Sequence, residues 1–270
     1  MKGGAVTQRA IGIFDSGVGG LTVLREVRRI LPEEQLIYFG DTARVPYGTK
    51  SPATVERYAL EAAEFLVSKG VKLLVVACNT ASAVALPALK RHFDVPVVGV
   101  IEPGARRAVS VTRNRHIGVI GTEGTVKSEA YVRALRELDA GVQVSSAACP
   151  LFVPLAEEGW AEHEVAHLAA REYLASLVSA SIDTLVLGCT HYPLLKNTLS
   201  RVLGNDVRLV DSAAETALTV AAQIKEHALA RTSPAGAPTY YVSDVPTRFE
   251  RVGSHFLGHS LGEVQQVTVG

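Results

Sequence analysis

The chain has 270 residues, 47% hydrophobic and 20% charged, a balance too apolar for disorder and long enough for one large or two small domains. Its 27 Lys plus Arg are matched by 27 Asp plus Glu. That neutrality argues against nucleic-acid binding as the main task and against a polybasic membrane anchor, because both need a basic excess.

No apolar stretch is long enough to span a membrane. The best, from Val71 to Leu89, is broken by Lys72, Asn79 and Thr80. The segment Met1–Arg9 lacks the apolar core of a signal peptide. The three cysteines are odd in number and far apart, which does not suit a disulfide framework, so a reducing, cytoplasmic location is expected.

In chain order, strands are predicted at Ala10–Phe14, Gln35–Phe39, Lys72–Ala77, Val95–Val100, His116–Gly121, Val142–Ala147, Thr184–Gly188, Val207–Val210 and Thr239–Val242. Runs such as Leu73–Ala77 and Leu185–Leu187 are apolar throughout, the mark of strands covered on both faces in a parallel sheet. Between them lie amphipathic helical patterns at Thr54–Ser68, Glu164–Ser179 and Ala213–Ala230. Ser51 before Pro52 reads as an N-cap with proline at the first helical position, and Ser212 to Glu215 has capping-box spacing. Arg231–Pro238 reads as an exposed turn. Strand and helix in alternation imply an α/β fold with parallel sheets.

An internal echo sharpens that expectation. Ile11–Gly17 resembles Ile117–Glu123, and Leu74–Thr80 resembles Leu185–His191, with Cys78 and Cys189 in matching places. Ile117 lies 106 positions after Ile11, and Cys189 lies 111 after Cys78. Near-equal offsets in the same order predict two copies of one α/β unit: residues 1–99 with 210–270, and residues 100–209.

The chemistry is expected where the echoes end. Each of Cys78 and Cys189 follows a buried strand and precedes a predicted helix, and ligands of open α/β sheets bind beyond the carboxyl ends of the strands. A thiol facing a helix N-terminus gains thiolate character. Two such thiols, from facing copies, would flank one ligand. Asn79 and Thr80 follow the first cysteine, Thr190 and His191 the second, and all can donate to a carboxylate. Asp15 and Ser16 lead into the turn Gly17–Gly20, which could cradle a phosphate or carboxylate, although its spacing is not that of a nucleotide motif. A helix cap is the plainer reading of Asp15. The loop Asp41–Gly48 is placed to close over a site. Cys149 has no counterpart and reads as packing. Paired ligands at zinc spacing are missing, so no metal is expected.

These blocks closely resemble the glutamate racemase family. The residues that carry the resemblance are Ile13–Leu21, Tyr38–Asp41 with Pro46–Gly48, Ala77–Ala81, Pro150–Pro154 with Glu157–Gly159, and Gly188–Leu194. They run in the family's order from residue 11 to 211, and Tyr241–Val267 also looks like its C-terminal segment. The two cysteine blocks are shared with aspartate racemases, while Asp15-Ser16-Gly17 and Cys189–Pro193 point to glutamate.

The resemblance implies cofactor-independent interconversion of L- and D-glutamate, supplying D-glutamate for peptidoglycan. Cys78 and Cys189 would be the two acid/base thiols, assisted by Asp15 and His191, with Glu157 supporting the histidine. Ser16, Asn79, Thr80 and Thr190 would hold the amino-acid group, and the backbone amides of Tyr47 and Gly48 the side-chain carboxylate. The partner is then a small molecule, with no nucleic acid or membrane, and the chain is expected to pair as a homodimer.

Overall fold

The computed structural model describes residues 6–270, so residues 1–5, which open both the first expected unit and the Met1–Arg9 segment, lie outside the described residues. Among the described residues the strands are β1 (Ile11–Asp15), β2 (Leu36–Gly40), β3 (Leu73–Val76), β4 (Val97–Gly99), β5 (His116–Gly121), β6 (Gln143–Ala148), β7 (Thr184–Gly188), β8 (Arg208–Asp211), β9 (Thr239–Val242) and β10 (Val264–Gln266). The helices are α1 (Leu21–Ile30), α2 (Pro52–Ser68), α3 (Asn79–His92), α4 (Ile101–Val111), α5 (Glu123–Lys127), α6 (Ala130–Leu138), α7 (Phe152–Glu157), α8 (Glu164–Ser179), α9 (Lys196–Leu203), α10 (Ser212–Glu226) and α11 (Pro246–Leu257).

The strands form two all-parallel sheets, in the orders β10-β9-β2-β1-β3-β4 and β6-β5-β7-β8. The first draws on residues 11–99 and 239–266, the second on 116–211. The sequence echo is a structural echo: β2-β1-β3-β4 corresponds to β6-β5-β7-β8, and Phe14 pairs with Val76 as Ile120 pairs with Leu187. The central strands β1, β3 and β7 are buried at every residue, as their unbroken apolar runs require.

Several local expectations change. β10 is short, lies at the sheet edge and exposes Gln265 and Gln266, so it carries no apolar run by which to be recognised. β4 shrinks to three residues. α10 is capped by Asp211, whose carboxylate accepts the Ala213 N–H at 2.9 Å, and not by Ser212, which is its first helical residue. That helix also stops at Glu226. Ala228 turns into the left-handed region, Leu229 N–H bonds to Ile224 C=O at 2.9 Å and Ala228 N–H to Lys225 C=O at 3.2 Å, a Schellman closure made without glycine. Ser51 caps α2 as expected, accepting the Thr54 N–H.

Candidate active site

Cys78 lies just beyond β3 and is the N-cap of α3, where its sulfur accepts the Ala81 N–H at 3.5 Å. Its thiol points to Ser16 Oγ at 3.7 Å. Asp15, the last residue of β1, is fully buried nearby. One carboxylate oxygen accepts the Gly17 N–H at 3.1 Å, and Oδ1 has no partner among the described residues. Burial raises the Asp15 carboxyl above its usual range, against the opposing pull of His191 and the neighbouring N–H groups. Burial, reinforced by Asp15, pushes the Cys78 thiol up to about 12. This half of the site therefore favours protonated groups.

Cys189 follows β7, but it does not precede an α-helix directly as expected. An α-helix starting at Thr190 would need the N–H of residue 193 to bond Cys189 C=O, and Pro193 has none. The chain closes instead as a 3-10 turn over Tyr192–Leu195, with Tyr192 N–H on Cys189 C=O at 3.1 Å, and α9 starts at Lys196. His191, 6% exposed, fills the space. Its Nδ1 is 3.8 Å from the Cys189 sulfur and its Nε2 is 3.1 Å from Glu157 Oε1. Burial opposes charge on His191, but Cys189 and Glu157 outweigh it and lift the imidazole to about 10. Burial likewise raises the Glu157 carboxyl, yet His191 and Arg248 bring it below its ordinary value. An imidazolium held by a carboxylate is thus a donor aimed at the second thiol.

Both thiols line one cavity of about 210 Å³, together with Ser16, Tyr47, Gly48, Asn79, Thr80, Glu157, Thr190 and His191. Ten of the eleven residues predicted for the site are therefore on its wall, and Asp15 lies immediately behind Ser16. The volume is below the roughly 300–1,000 Å³ of pockets for drug-sized ligands, which suits a small metabolite. Asn79 accepts from Tyr131 Oη at 2.7 Å, leaving its buried amide nitrogen without a partner among the described residues. Tyr47 and Gly48 open a short 3-10 turn, whose first N–H groups are free of bonds within it. The Tyr47 hydroxyl donates to Asp41.

The Gly17–Gly20 turn does not form a phosphate cradle. Gly17 N–H is taken by Asp15, and a Cβ on Gly19 would lie 2.2 Å from Thr190 Oγ1 and 2.5 Å from His191 Nδ1. The glycine lets the first unit press against the loop of the second, where Thr22 Oγ1 also reaches Thr190 C=O at 3.3 Å. Gly48 plays the same part on the other side, since its Cβ would meet Thr122 at 2.5 Å. Three hydroxyls seal that contact: Thr80 Oγ1 is 3.0 Å from Thr122 Oγ1 and 3.1 Å from Thr125 Oγ1. Cys149 is buried and inert, with burial raising its thiol to about 12, and its carbonyl accepts from Tyr192 Oη at 2.8 Å. The described residues contain no group of three or more His, Cys, Asp or Glu able to hold a metal, and no helix long and apolar enough to cross a membrane.

A family model for Asp/Glu/hydantoin racemases matches residues 12–220. The chain belongs to this family. It is therefore a racemase, an isomerase, and the two thiols of its cavity can be read in that light. Among curated relatives, the glutamate racemase of Geobacter metallireducens is 63% identical over 262 residues, 97% of each chain. A crystal structure of a glutamate racemase isoform from Bacillus anthracis matches with a TM-score of 0.93 and 40% identity, covering 96% of this chain and 97% of that one. The Francisella tularensis glutamate racemase in complex with D-glutamate matches with a TM-score of 0.92 and 37% identity over 97% and 98% of the two chains.

Sequence reasoning missed three residues of the racemase site. Thr122 lines the cavity and matches Ser16 within the echo, so the repeat itself held the signal. Tyr131, which orients Asn79, and Arg248, which binds Glu157 Oε2 at 3.0 Å, come from distant segments with no local pattern to mark them. Just past Glu157, Trp160 lies half exposed over His163, with ring centroids 4.9 Å apart and nearly parallel planes.

Proposed function

We propose that the racemase interconverts L-glutamate and D-glutamate by a two-base mechanism with no added cofactor, in which Cys78 and Cys189 act on opposite faces of the α-carbon. The observation that supports this is the presence of two thiols, from corresponding strands, on the wall of one small cavity. Racemisation takes the α-hydrogen from one face and delivers one to the other. A single base that stays on its face returns the same enantiomer, so one thiolate and one thiol are required, and they exchange roles with direction. The α-hydrogen is far less acidic than a thiol, so fixed donors must stabilise the carbanion in a water-poor cavity.

In this reading Asp15 assists Cys78, His191 assists Cys189, and Glu157 holds His191. Ser16, Asn79, Thr80 and Thr190 bind the amino-acid group, and the amides of Tyr47 and Gly48 take the side-chain carboxylate. The unpartnered Asn79 amide supports the assignment, because a buried donor needs an acceptor and a carboxylate supplies one.

The close likeness to glutamate racemases favours glutamate over aspartate, and it supports a role in making D-glutamate for peptidoglycan in the cytoplasm. The domain division that accompanies this reading is 1–99 with 210–270, and 100–209, except that the second boundary is drawn after Asp211 because all of β8 pairs with β7, and the cavity lies between the two units. A homodimer completes it, and the mass in solution by light scattering tests that point. For the activity, purified protein is given L-glutamate in heavy water without any cofactor. Racemic glutamate carrying deuterium at the α-carbon is expected by chiral chromatography and mass spectrometry. Unchanged L-glutamate would refute the reading, and faster turnover of aspartate would correct its substrate.

A further inference from the structure

The chain of contacts behind Cys189 does not stop at Glu157. His191 uses one oxygen of that carboxylate, at 3.1 Å, and Arg248 Nη2 donates to the other at 3.0 Å. Glu157 ends α7, which leads off the second sheet, whereas Arg248 stands on α11, in the segment between the two last strands of the first sheet. The ion pair therefore crosses the cleft, and both residues line a second hollow that continues the cavity outward along Gly17, Val45, Asp244 and Phe249.

The segment that carries Arg248 is itself fixed to the ligand-facing loop. Asp244 N–H donates to Thr42 Oγ1 at 2.8 Å, and Ala43 N–H to Ser243 Oγ at 2.8 Å. Ser243 Oγ donates to Asp41 Oδ1 at 2.9 Å, and the other Asp41 oxygen accepts from Tyr47 and Arg44. Asp41 thus ties the wall formed by Tyr47 and Gly48 to the start of α11, and Arg248 ties α11 to Glu157.

We propose that Arg248 is a positioning residue for the half-reaction at Cys189: by gripping the outer oxygen of Glu157 across the cleft, it fixes the carboxylate against His191 and so aims His191 Nδ1 at the Cys189 sulfur. The inference rests on the two-thiol reading and deepens it. Arg248 moves no proton. Its side chain is 59% exposed, so the bare charge is screened by water and salt, and the effect comes from orientation. Without the arginine, the outer oxygen of Glu157 turns to solvent, and the histidine loses its fixed support. No hydrogen bond joins His191, Glu157 or Arg248 to the Cys78 sulfur or to the Asp15 carboxylate, on which His191 acts through its charge alone, so the loss of orientation falls on the half-reaction at Cys189.

The test is Arg248→Ala beside Arg248→Lys, assayed with L- and D-glutamate bearing hydrogen or deuterium at the α-carbon. The equilibrium constant between enantiomers is one, so kcat/KM falls equally in both directions, by about tenfold in R248A. The isotope effects tell the halves apart. The effect must rise for the enantiomer whose α-hydrogen goes to Cys189, because that step becomes limiting. It must fall for the other enantiomer, whose limiting step becomes reprotonation by Cys189. R248K should recover most of the rate, and R248M, which keeps the aliphatic stem, stands in for R248A if the latter folds poorly.

A kcat/KM within about twofold of the parent, or isotope effects that move together, would overturn the role of Arg248. Cys78→Ala and Cys189→Ala run alongside. Racemisation by either would refute the two-thiol reading itself, whereas two inactive cysteine variants with an unaffected R248A would refute only this inference.

Discussion

At the end of β1 the first unit has Asp15 and Ser16; at the end of β5 the second has Gly121 and Thr122 in the same places. Beyond β3 come Cys78, Asn79 and Thr80; beyond β7 come Cys189, Thr190 and His191. The backbone plan is shared, and two substitutions within it separate the thiols chemically. Where the first unit places a buried carboxyl beside its cysteine, the second has no side chain. Where the first has a hydroxyl two residues on, the second has an imidazole. Proline completes the contrast, since Pro193 withholds the α-helix whose N–H groups Cys78 enjoys and leaves His191 as the donor to Cys189. Duplication supplies two faces, and divergence at these positions gives each thiol a different neighbour: a buried carboxyl beside Cys78 and an imidazole beside Cys189.

If the plan is truly two-sided, each thiol is indispensable. Cys78→Ala and Cys189→Ala should each lower racemisation by about 10²–10⁴-fold. In heavy water each variant should exchange the α-hydrogen of at most one enantiomer, and the two should choose opposite ones, as read by proton NMR. Substantial racemisation by either would show that the halves are not the two bases.

The divergent partners come next. Asp15→Asn and His191→Asn should each cost about 10²-fold in kcat/KM, the lower end of general acid–base effects. The L:D ratio at equilibrium stays at one in both. Deuterium isotope effects should separate the variants, since D15N makes the Cys78 step limiting and H191N the Cys189 step. The same pattern of isotope effects in both variants would erase the distinction between the halves.

A smaller effect belongs to the seam between them. Thr122→Val removes one of three hydroxyls that meet across the cleft and should raise KM about fivefold, the worth of one neutral hydrogen bond of about 1 kcal/mol, with little change in kcat. A drop in kcat at constant KM would place Thr122 in the chemistry rather than in binding.

The smallest effect is on stability, and it belongs to the second half alone. The folded protein lifts the His191 imidazole from 6.5 to about 10, so charged His191 contributes fully below about 6.5 and loses that contribution as pH rises through about 10. Glu157 is shifted down, so its share is present above 4.5 and lost as pH falls further. The melting-temperature gap between parent and His191→Gln should therefore be about 2–4 °C near pH 6 and close as pH approaches 10. A gap that stays constant over that range would contradict a charged His191.

The sequence read well where chemistry and periodicity are local. Buried parallel strands announce themselves as unbroken apolar runs, and the paired cysteines mark the ends of two of them. Ten of eleven site residues reach one cavity because they follow the ends of β1, β2, β3, β6 and β7, where a parallel sheet presents its loops. What escaped depends on distance along the chain. Arg248 meets Glu157 across 91 positions, and Tyr131 meets Asn79 across 52. β10 was invisible because three residues with two exposed glutamines have no pattern. The mistaken cap at Ser212 arose from a one-residue ambiguity, since Asp211 can cap equally well and the strand register decided between them.

The chain contains one tryptophan, and its location has a spectroscopic consequence. Trp160 lies three positions beyond Glu157, half exposed and stacked on His163, with its backbone N–H donating to Leu155 C=O at 2.8 Å. The first sheet has no indole of its own. Intrinsic emission excited at the red edge of the aromatic band therefore reports on the second unit alone, from the hollow that Trp160 shares with Leu151, Pro154, Leu155 and Val165. Loss of that packing exposes the ring fully to water, so opening of α7 and α8 can be followed optically in the unmodified protein, without a dye.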